Sequence, residues 1–181
     1  KFDFYFLESV MAPIGEEIVQ ENMGKVFEKS DGAIVFKAEK YNQEGQPKLH
    51  TRVFITSQGL PTYETKELGL TEEKFKTVPN LDLSIVVTAT EQMEYMRVVV
   101  KAISLINPDF GNKMKHITHG MMRFASGKMG SRKGNVITGE SLLNDTRDDV
   151  LERMTDREFS NEEREKVASA VGVSAIKYSI L

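Results

Sequence analysis

The stretch LSIVVTATEQMEYMRVVVKAISLINP, residues 83–108, joins a short β-branched run to a longer segment with helical spacing. Its first part, 83–88, is nearly all apolar, which is typical of a strand that is buried on both faces. Thr88 and Glu91 match the capping box that opens a helix, and Asn107-Pro108 marks the helix end. The apolar stripe between them consists of Met93, Met96, Val99, Val100, Ile103 and Ile106. A strand followed directly by such a helix is half of a βαβ unit, so the stretch predicts an α/β fold with a parallel sheet.

The rest of the chain alternates between short strands and helices. Apolar runs predict strands at 33–36, 50–56 and 116–124. Helical spacing predicts helices at 16–27, 62–70, 141–155 and 160–179. Ser160 and Glu163 form a second capping box, Gly69 is expected near a helix end, and Gly172 is expected to break the last helix.

The composition is that of one soluble globular domain. Of the 181 residues, 40% are hydrophobic and 28% are charged, and no apolar run approaches the roughly 18 residues that a membrane span needs. There is no cysteine, which excludes disulfides and thiolate metal sites, and a cytoplasmic location fits. The chain starts at Lys1 rather than at a methionine, so we expect a piece of a longer protein.

His116 and His119 form an H-x-x-H pair, a spacing that can hold a metal ion. Because no cysteine and no well-placed further histidine follows, we expect no zinc site. The surrounding segment is basic: six lysines and arginines lie between residues 110 and 134, with no acidic residue. Such a bounded basic segment indicates a place for anions, although a solvated pair of surface strands has the same composition.

The loop SGKMGSRKGN, residues 126–135, carries the chemistry expected of a polyphosphate site. Its three glycines permit tight turns and close backbone approach to a ligand. Lys128, Arg132 and Lys133 place three cations around the Ser131 hydroxyl, where they can offset negative charge on phosphates. The loop is not a Walker A motif, because the order of its glycine, lysine and hydroxyl residues differs. On composition alone, a solvent-exposed hairpin turn remains open.

Residues 128–135, KMGSRKGN, resemble the KMSKS signature of class I aminoacyl-tRNA synthetases, and in particular the form KMSSRKGN found in arginyl-tRNA synthetases. Gly130 replaces a small hydroxyl residue, and Ser131 stands where the second signature lysine is expected. Lys133 is then the substitute for that lysine. The preceding segment, 116–122, resembles the strand that leads to this loop in the family.

The stretch SQGLPTYETKELGL, residues 57–70, is similar to the arginine-binding stretch SDGxPTYxTRDLA of the same family. Tyr63 and Glu67 are four apart, so they share one face of the predicted helix. A carboxylate beside a phenol suits a guanidinium group, which offers five donors and needs planar acceptors. Without the resemblance, a solvated glutamate and a half-buried tyrosine would be the plainer interpretation. Gln92 matches the family's glutamine that opens a helix and contacts arginine.

The resemblance implies an arginyl-tRNA synthetase: ATP and L-arginine form arginyl-adenylate, and the arginyl group then moves to tRNA(Arg). It implies that Tyr63, Glu67 and Gln92 bind L-arginine and that Lys128 and Lys133 are catalytic. The implied ATP-binding residues are His116, Gly120, Met121, Lys128, Met129, Ser131, Arg132 and Lys133. ATP is a substrate and Mg²⁺ is expected with it, while no metal-binding residue is assigned in this chain.

The resemblance also implies the fold: the second half of a Rossmann-like parallel-sheet catalytic domain, with a small inserted α+β segment and C-terminal helices. Within a single partial catalytic domain, 1–50 is the inserted segment, 51–139 the Rossmann half with the loop, and 140–181 the helices that lead toward an anticodon-binding domain. The HIGH signature of the class is not found in the sequence. We therefore expect the HIGH-bearing half and the anticodon-binding domain outside this chain, and the chain alone to be inactive.

Two other interpretations remain open. The first is another class I aminoacyl-tRNA synthetase, such as the cysteine or methionine enzyme, because the loop alone does not exclude it. The second is a non-catalytic binding module that keeps the synthetase fold, since Gly130 and Glu67 both depart from the family's pattern.

Overall fold

A computed structural model describes residues 2–120, 138–154 and 159–180. The elements in these ranges are α1 Glu8–Glu21, β1 Glu28–Ser30, β2 Ala33–Phe36, a 3₁₀ turn Ala38–Tyr41, β3 Arg52–Ile55, α2 Tyr63–Thr77, β4 Ser84–Ala89, a 3₁₀ turn Thr90–Gln92, α3 Met93–Ile106, α4 Pro108–Asn112, β5 Met114–His119, α5 Gly139–Arg153 and α6 Asn161–Ile180. The chain forms two compact units, Lys1–Thr118 and His119–Leu181. No helix in the described ranges is long and apolar enough to cross a bilayer. The mixture of helices and strands confirms the predicted α/β class.

Strands β1, β2 and β3 form an antiparallel sheet in that order. Asp31 and Gly32 have φ angles of 48° and 79°, and these two positive values close the hairpin between β1 and β2. The strand predicted at 33–36 is confirmed, and the one predicted at 50–56 is shorter, because pairing with β2 covers only β3. The sheet therefore contains residues from both sides of position 50, the predicted end of the inserted segment.

Three phenylalanines, Phe27, Phe36 and Phe54, form the centre of the core in the first unit. The ring centroids of Phe27 and Phe54 lie 4.7 Å apart, and Phe36 meets the two rings edge-on at 6.3 and 6.4 Å. Residues of α3 complete this cluster, namely Val98, Val99, Ala102 and Ile103. The buried stripe of α3 is thus shifted from the predicted one, since Val100 is only half-buried.

Helix α1 begins and ends earlier than the predicted range 16–27. After it, Gly24 has a φ of 77°, and its N–H donates to the Phe27 carbonyl oxygen at 2.8 Å. Phe27 continues the helical spacing in the sequence, yet it belongs to the core against the sheet. Apolar spacing alone does not distinguish a residue inside a helix from a core residue that follows the helix.

Helices α1 and α2 cross at glycines. A Cβ atom at Gly15 would overlap the Thr65 carbonyl group, and a Cβ atom at Gly69 would overlap the Met11 carbonyl oxygen. Gly69 therefore lies inside α2, which continues to Thr77, and the prediction that it stands near the helix end is wrong. The close approach places the start of α1 beside the first turns of α2.

Strands β4 and β5 pair as a parallel two-stranded sheet, and α3 and α4 connect them. The apolar residues Ile85 and Val87 are 49% and 61% exposed. Ser84, the first residue of β4, is buried instead. The expectation that this strand is buried on both faces is therefore wrong for the described residues. The alternation is that of a strand with one covered face, which an apolar run alone does not reveal.

The two predicted capping boxes have opposite outcomes. At the second, Glu163 Oε2 accepts from the Ser160 backbone N–H at 3.0 Å, and the Glu163 N–H donates to Ser160 Oγ at 3.3 Å, so this box is confirmed. The first is wrong, because β4 continues to Ala89 and a 3₁₀ turn precedes α3. The Thr88 hydroxyl instead contacts His116 Nε2 on β5 at 2.8 Å.

In the second unit, helices α5 and α6 pack against each other. α6 is continuous from Asn161 to Ile180, so the predicted break at Gly172 is wrong. A Cβ atom at Gly172 would lie 3.3 Å from the Arg147 backbone nitrogen. Gly172 therefore allows the two helices to pack closely instead of interrupting α6.

Candidate active site

The first turn of α2 is fixed to strand β3 by side-chain hydrogen bonds. Thr62, the residue before the helix, is extended, and its hydroxyl lies 2.9 and 3.0 Å from the Val53 and Phe54 carbonyl oxygens. The buried Thr65 hydroxyl also donates to the Phe54 carbonyl oxygen. These contacts set the position of Tyr63, the first residue of the helix.

Tyr63 and Glu67 line one small pocket, with a volume of about 50 Å³, between α1 and α2. The other lining residues are Phe6, Glu8, Met11, Lys66 and Leu70. The structure thus brings together two of the residues that were predicted to bind L-arginine, as their spacing on one helix face implies. The Tyr63 side chain is 66% exposed, whereas Glu67 is partly buried.

Glu67 has a carboxylate oxygen that lacks a hydrogen-bond donor among the described residues. Its Oε2 atom is buried, and no described residue donates a hydrogen bond to it. Burial raises the pKa of the Glu67 carboxyl, while Lys74 opposes this rise and Glu8 adds to it. A buried acceptor that lacks a donor is rare and costs free energy. The oxygen is therefore open to a donor that comes from a ligand.

Glu64, on the same helix, is also buried but has a partner. Its Oε1 atom accepts from Arg52 Nε on β3 at 2.7 Å, and the Arg52 guanidinium lies 5.5 Å from the centroid of the Tyr95 ring. Burial raises the pKa of the Tyr95 phenol, and the Glu67 and Glu64 carboxylates add to the rise, so the phenol stays protonated at neutral pH. Sequence reasoning missed this group. The available signal was Arg52, a charge inside an apolar strand that needs a partner.

Gln92, the third residue predicted to bind L-arginine, lies at the end of the 3₁₀ turn before α3. Its side chain is exposed, makes no capping hydrogen bond, and is not among the residues that line the Glu67 pocket. Tyr95, one turn further on, is close enough to Glu67 for that carboxylate to raise the pKa of its phenol. The start of α3 therefore lies near the site without placing Gln92 in it.

His116 and Gly120 were predicted to lie by the adenosine of ATP. His116 is on β5, where its Nε2 atom pairs with the Thr88 hydroxyl. Burial, followed by the charge of Arg97, lowers the pKa of His116, so its ring is neutral at pH 7. Gly120 follows directly after the strand and is exposed, and its carbonyl oxygen lies 2.7 Å from His119 Nδ1.

The remaining predicted site residues lie outside the described residues. They are Met121, Lys128, Met129, Ser131, Arg132 and Lys133. The same holds for the whole loop 126–135, and the roles predicted for it stay predictions.

A larger cavity, of about 380 Å³, lies between α1, α2, α3 and α4. It contains none of the residues predicted to bind substrate, so its size does not mark it as the reaction site. Within the described ranges, no group of three or more histidine, aspartate or glutamate side chains is placed to hold a metal ion. The Glu67 pocket is therefore the better candidate site, because one of its lining carboxylates has a buried oxygen to which no described residue donates.

Comparison with known proteins identifies one family of enzymes. Residues 3–181 match the family model described as tRNA synthetases class I (R), catalytic domain. An arginine–tRNA ligase of Borreliella afzelii is 31% identical over 99% of this chain, which corresponds to 31% of that protein. One of Clostridium perfringens is 29% identical over 99% of this chain and 31% of its own length. The chain thus spans about a third of the length of these relatives.

Solved structures share the fold. The arginyl-tRNA synthetase of Thermus thermophilus superposes with a TM-score of 0.67 at 15% identity, covering 95% of this chain and 34% of that one. The arginyl-tRNA synthetase of Plasmodium falciparum gives a TM-score of 0.66 at 18% identity, covering 97% of this chain and 28% of that one. At these identities the match supports the architecture of the chain.

Proposed function

Because the chain belongs to the family of class I (R) tRNA synthetase catalytic domains, we propose that the full-length gene product is an arginyl-tRNA synthetase and that this chain supplies its arginine pocket and its ATP loop. In the first step the arginine carboxylate attacks the α-phosphorus of ATP, and pyrophosphate leaves. In the second step a hydroxyl of the terminal tRNA(Arg) ribose attacks the carbonyl carbon of arginyl-adenylate, and AMP leaves. We propose that this reaction takes place in the cytoplasm.

The unpaired Glu67 carboxylate is the observation that carries this proposal. A guanidinium group is a planar cation with five N–H donors and no acceptor, so it matches a buried oxygen that has no donor within residues 2–120, 138–154 and 159–180. Tyr63, on the same helix face, offers a ring and a phenol oxygen to the ligand. We therefore assign the side chain of L-arginine to Tyr63 and Glu67, and retain Gln92 as a third contact that would have to turn toward the ligand.

The proposed ATP-binding residues are assigned from the sequence resemblance. We assign His116, Gly120 and Met121 to the adenosine, and the loop residues Lys128, Met129, Ser131, Arg132 and Lys133 to the phosphates. Lys128 and Lys133 would stabilise charge on the leaving pyrophosphate, with Mg²⁺ entering as a partner of ATP. Their catalytic effect would come from positioning and charge, since the reaction needs no covalent intermediate with the protein.

The domain division is also a proposal. We assign 1–50 to an inserted segment, 51–139 to the Rossmann half, and 140–181 to helices that lead toward an anticodon-binding domain. The relatives are about three times as long as this chain, so the proposed activity is that of the full-length gene product.

Arginine-dependent exchange of pyrophosphate into ATP tests the activation step in the full-length gene product. We expect exchange with arginine and none with cysteine or methionine. Lys128→Ala should reduce the exchange rate by about 100-fold while leaving arginine affinity unchanged. The control Lys166→Ala, an exposed lysine on α6, should match the wild type. Equal rates for Lys128→Ala and wild type would remove the loop from the mechanism.

A further inference from the structure

A hydrogen-bonded pair of side chains connects the two strands of the parallel sheet. Thr88 is the last residue but one of β4, and its hydroxyl oxygen lies 2.8 Å from His116 Nε2 on β5. The same hydroxyl donates to the Ala89 carbonyl oxygen at 3.1 Å. In parallel α/β sheets, ligands bind at the carboxyl ends of the strands. Thr88 therefore lies at the end of its strand where a ligand is expected.

The Thr88 hydroxyl has a single hydrogen, and this decides which ring nitrogen of His116 carries a proton. Donation to the Ala89 carbonyl oxygen leaves only the lone pairs of the hydroxyl for the ring. Both contacts are then hydrogen bonds only if His116 Nε2 is protonated and donates to Thr88. With the opposite tautomer the hydroxyl would have to donate to the ring, and the bond to Ala89 would be lost. The Nε2–H tautomer is favoured because it keeps both hydrogen bonds.

The other ring nitrogen of His116 is then a hydrogen-bond acceptor. Burial lowers the pKa of His116, and the charge of Arg97 lowers it further, so the ring is neutral at pH 7. A neutral ring that is protonated at Nε2 has an unprotonated Nδ1 atom, which can only accept. No described residue donates to Nδ1. Nδ1 is therefore open to a donor that comes from a ligand.

We propose that Thr88 is a positioning residue that holds His116 in the Nε2–H tautomer, so that Nδ1 accepts a hydrogen bond from the nucleoside part of ATP. This rests on the proposed function, in which His116 lies by the adenosine. Adenosine offers two kinds of donor, the 6-amino group of the base and the ribose hydroxyls. The opposite tautomer would turn an N–H group toward that donor, so loss of the Thr88 hydroxyl weakens ATP binding.

Thr88→Val keeps the branched shape of the side chain and removes the hydroxyl. In pyrophosphate exchange by the full-length gene product, the KM for ATP should rise by about three- to tenfold, as expected for a weakened neutral hydrogen bond. The kcat should change by less than about twofold, because the contact is far from the reacting phosphorus and is made equally before and during the reaction. Thr88→Ser restores the hydroxyl and should restore the wild-type KM. Thr77→Val, at a half-buried threonine that ends α2, is the matched control and should resemble the wild type.

Analogues of ATP identify the donor. ITP carries a carbonyl oxygen in place of the 6-amino group, and 2′-deoxy-ATP and 3′-deoxy-ATP each lack one ribose hydroxyl. If Nδ1 binds the base, Thr88→Val should raise the KM for ATP and for both deoxy analogues but not for ITP. If Nδ1 binds the ribose, the KM of one deoxy analogue should be the one that does not rise. An equal rise for all four nucleotides, or no rise for ATP, would overturn the proposal.

Nitrogen NMR of the histidine rings in the full-length gene product tests the tautomer itself, and His116→Gln identifies the signals of His116. The wild type and Thr88→Ser should show a protonated Nε2 and an unprotonated Nδ1 at neutral pH. Thr88→Val should show an average of the two tautomers, and Thr88→Ala replaces it if it does not fold. A protonated Nδ1 in the wild type would contradict the proposal. If the wild type shows no arginine-dependent exchange, the proposed function fails, and the role of Nδ1 in ATP binding fails with it.

Discussion

Helix α2 carries two shielded carboxylates, Glu64 and Glu67, which are three residues apart and have opposite surroundings. Toward β3, Glu64 is held by Arg52 at 2.7 Å, and the guanidinium lies over the Tyr95 ring. Toward α1, Glu67 lines a pocket and its buried oxygen has no donor among the described residues. The sequence positions differ by less than one helical turn, yet one acid is held in an ion pair and the other has a buried oxygen to which no described residue donates.

The difference shows that burial alone does not identify a binding residue. Glu64 is the more buried of the two, and its charge is paired with that of Arg52. Glu67 is the one that costs free energy in the unliganded protein, because its desolvation is not offset by a hydrogen bond. A ligand that supplies the donor regains this free energy, so we propose Glu67, and not Glu64, as the binding residue.

The largest expected effect is on arginine binding by Glu67→Gln. The variant loses the charge that meets the guanidinium, and the Kd for arginine should rise by about thirtyfold, as expected for the loss of a hydrogen bond to a charged group. The free energy of unfolding without arginine should stay equal or increase, since an unpaired carboxylate is removed. Calorimetry and urea unfolding measure the two quantities. A large loss of stability would instead place Glu67 in the framework with Glu64.

Glu64→Gln should show the reverse pattern. It leaves the Arg52 guanidinium without its anion, and the unfolding free energy should fall by about 1–3 kcal/mol, at the lower end because Arg52 is 34% exposed. The Kd for arginine should change by less than about threefold. Urea unfolding at neutral pH measures the first effect, with Glu72→Gln on the same helix as a control. If Glu64→Gln abolished arginine binding without loss of stability, the distinction between the two acids would be wrong.

The smallest effect is a pH dependence that belongs to Glu67. Burial raises the pKa of this carboxyl in the folded protein above its unfolded value, so protonation favours folding. The contribution is complete below the unfolded pKa and is lost as the pH rises through the raised folded pKa. The unfolding free energy of the wild type, relative to Glu67→Gln, should therefore decrease over that window. Urea unfolding from acid to neutral pH without arginine measures it, and a constant difference would show that Glu67 is not desolvated.

The sequence predicts the local parts of this picture well. The strand Ala33–Phe36 and the box at Ser160 and Glu163 form as predicted, because each depends on a few neighbouring residues. The helical spacing of Tyr63 and Glu67 likewise brings both into one pocket. In these cases the interacting residues lie within one turn or one strand.

Several of the failures involve partners that are distant in the sequence. Gly69 and Gly172 look like helix ends, but each marks a close crossing with another helix. Thr88 looks like a helix cap, but pairing with β5 gives its hydroxyl a different partner, His116. The ion pairs of Glu64 and Lys66 join residues from separate elements, and no local pattern contains them. The shared position of Tyr63 and Glu67 in the candidate site could therefore be predicted from the sequence, while the charges around them could not.

The most direct test of the account compares L-arginine with L-citrulline, its uncharged analogue of nearly equal shape. Calorimetric titration of the full-length gene product should show that the wild type binds arginine more tightly than citrulline by about thirtyfold, because the guanidinium is a cation, whereas the ureido N–H groups of citrulline are neutral donors that bond a carboxylate more weakly. Glu67→Gln should lose this preference, and Glu64→Gln should keep it. If Glu67→Gln kept the full wild-type preference for arginine, the Glu67 carboxylate would not be the group that binds the guanidinium.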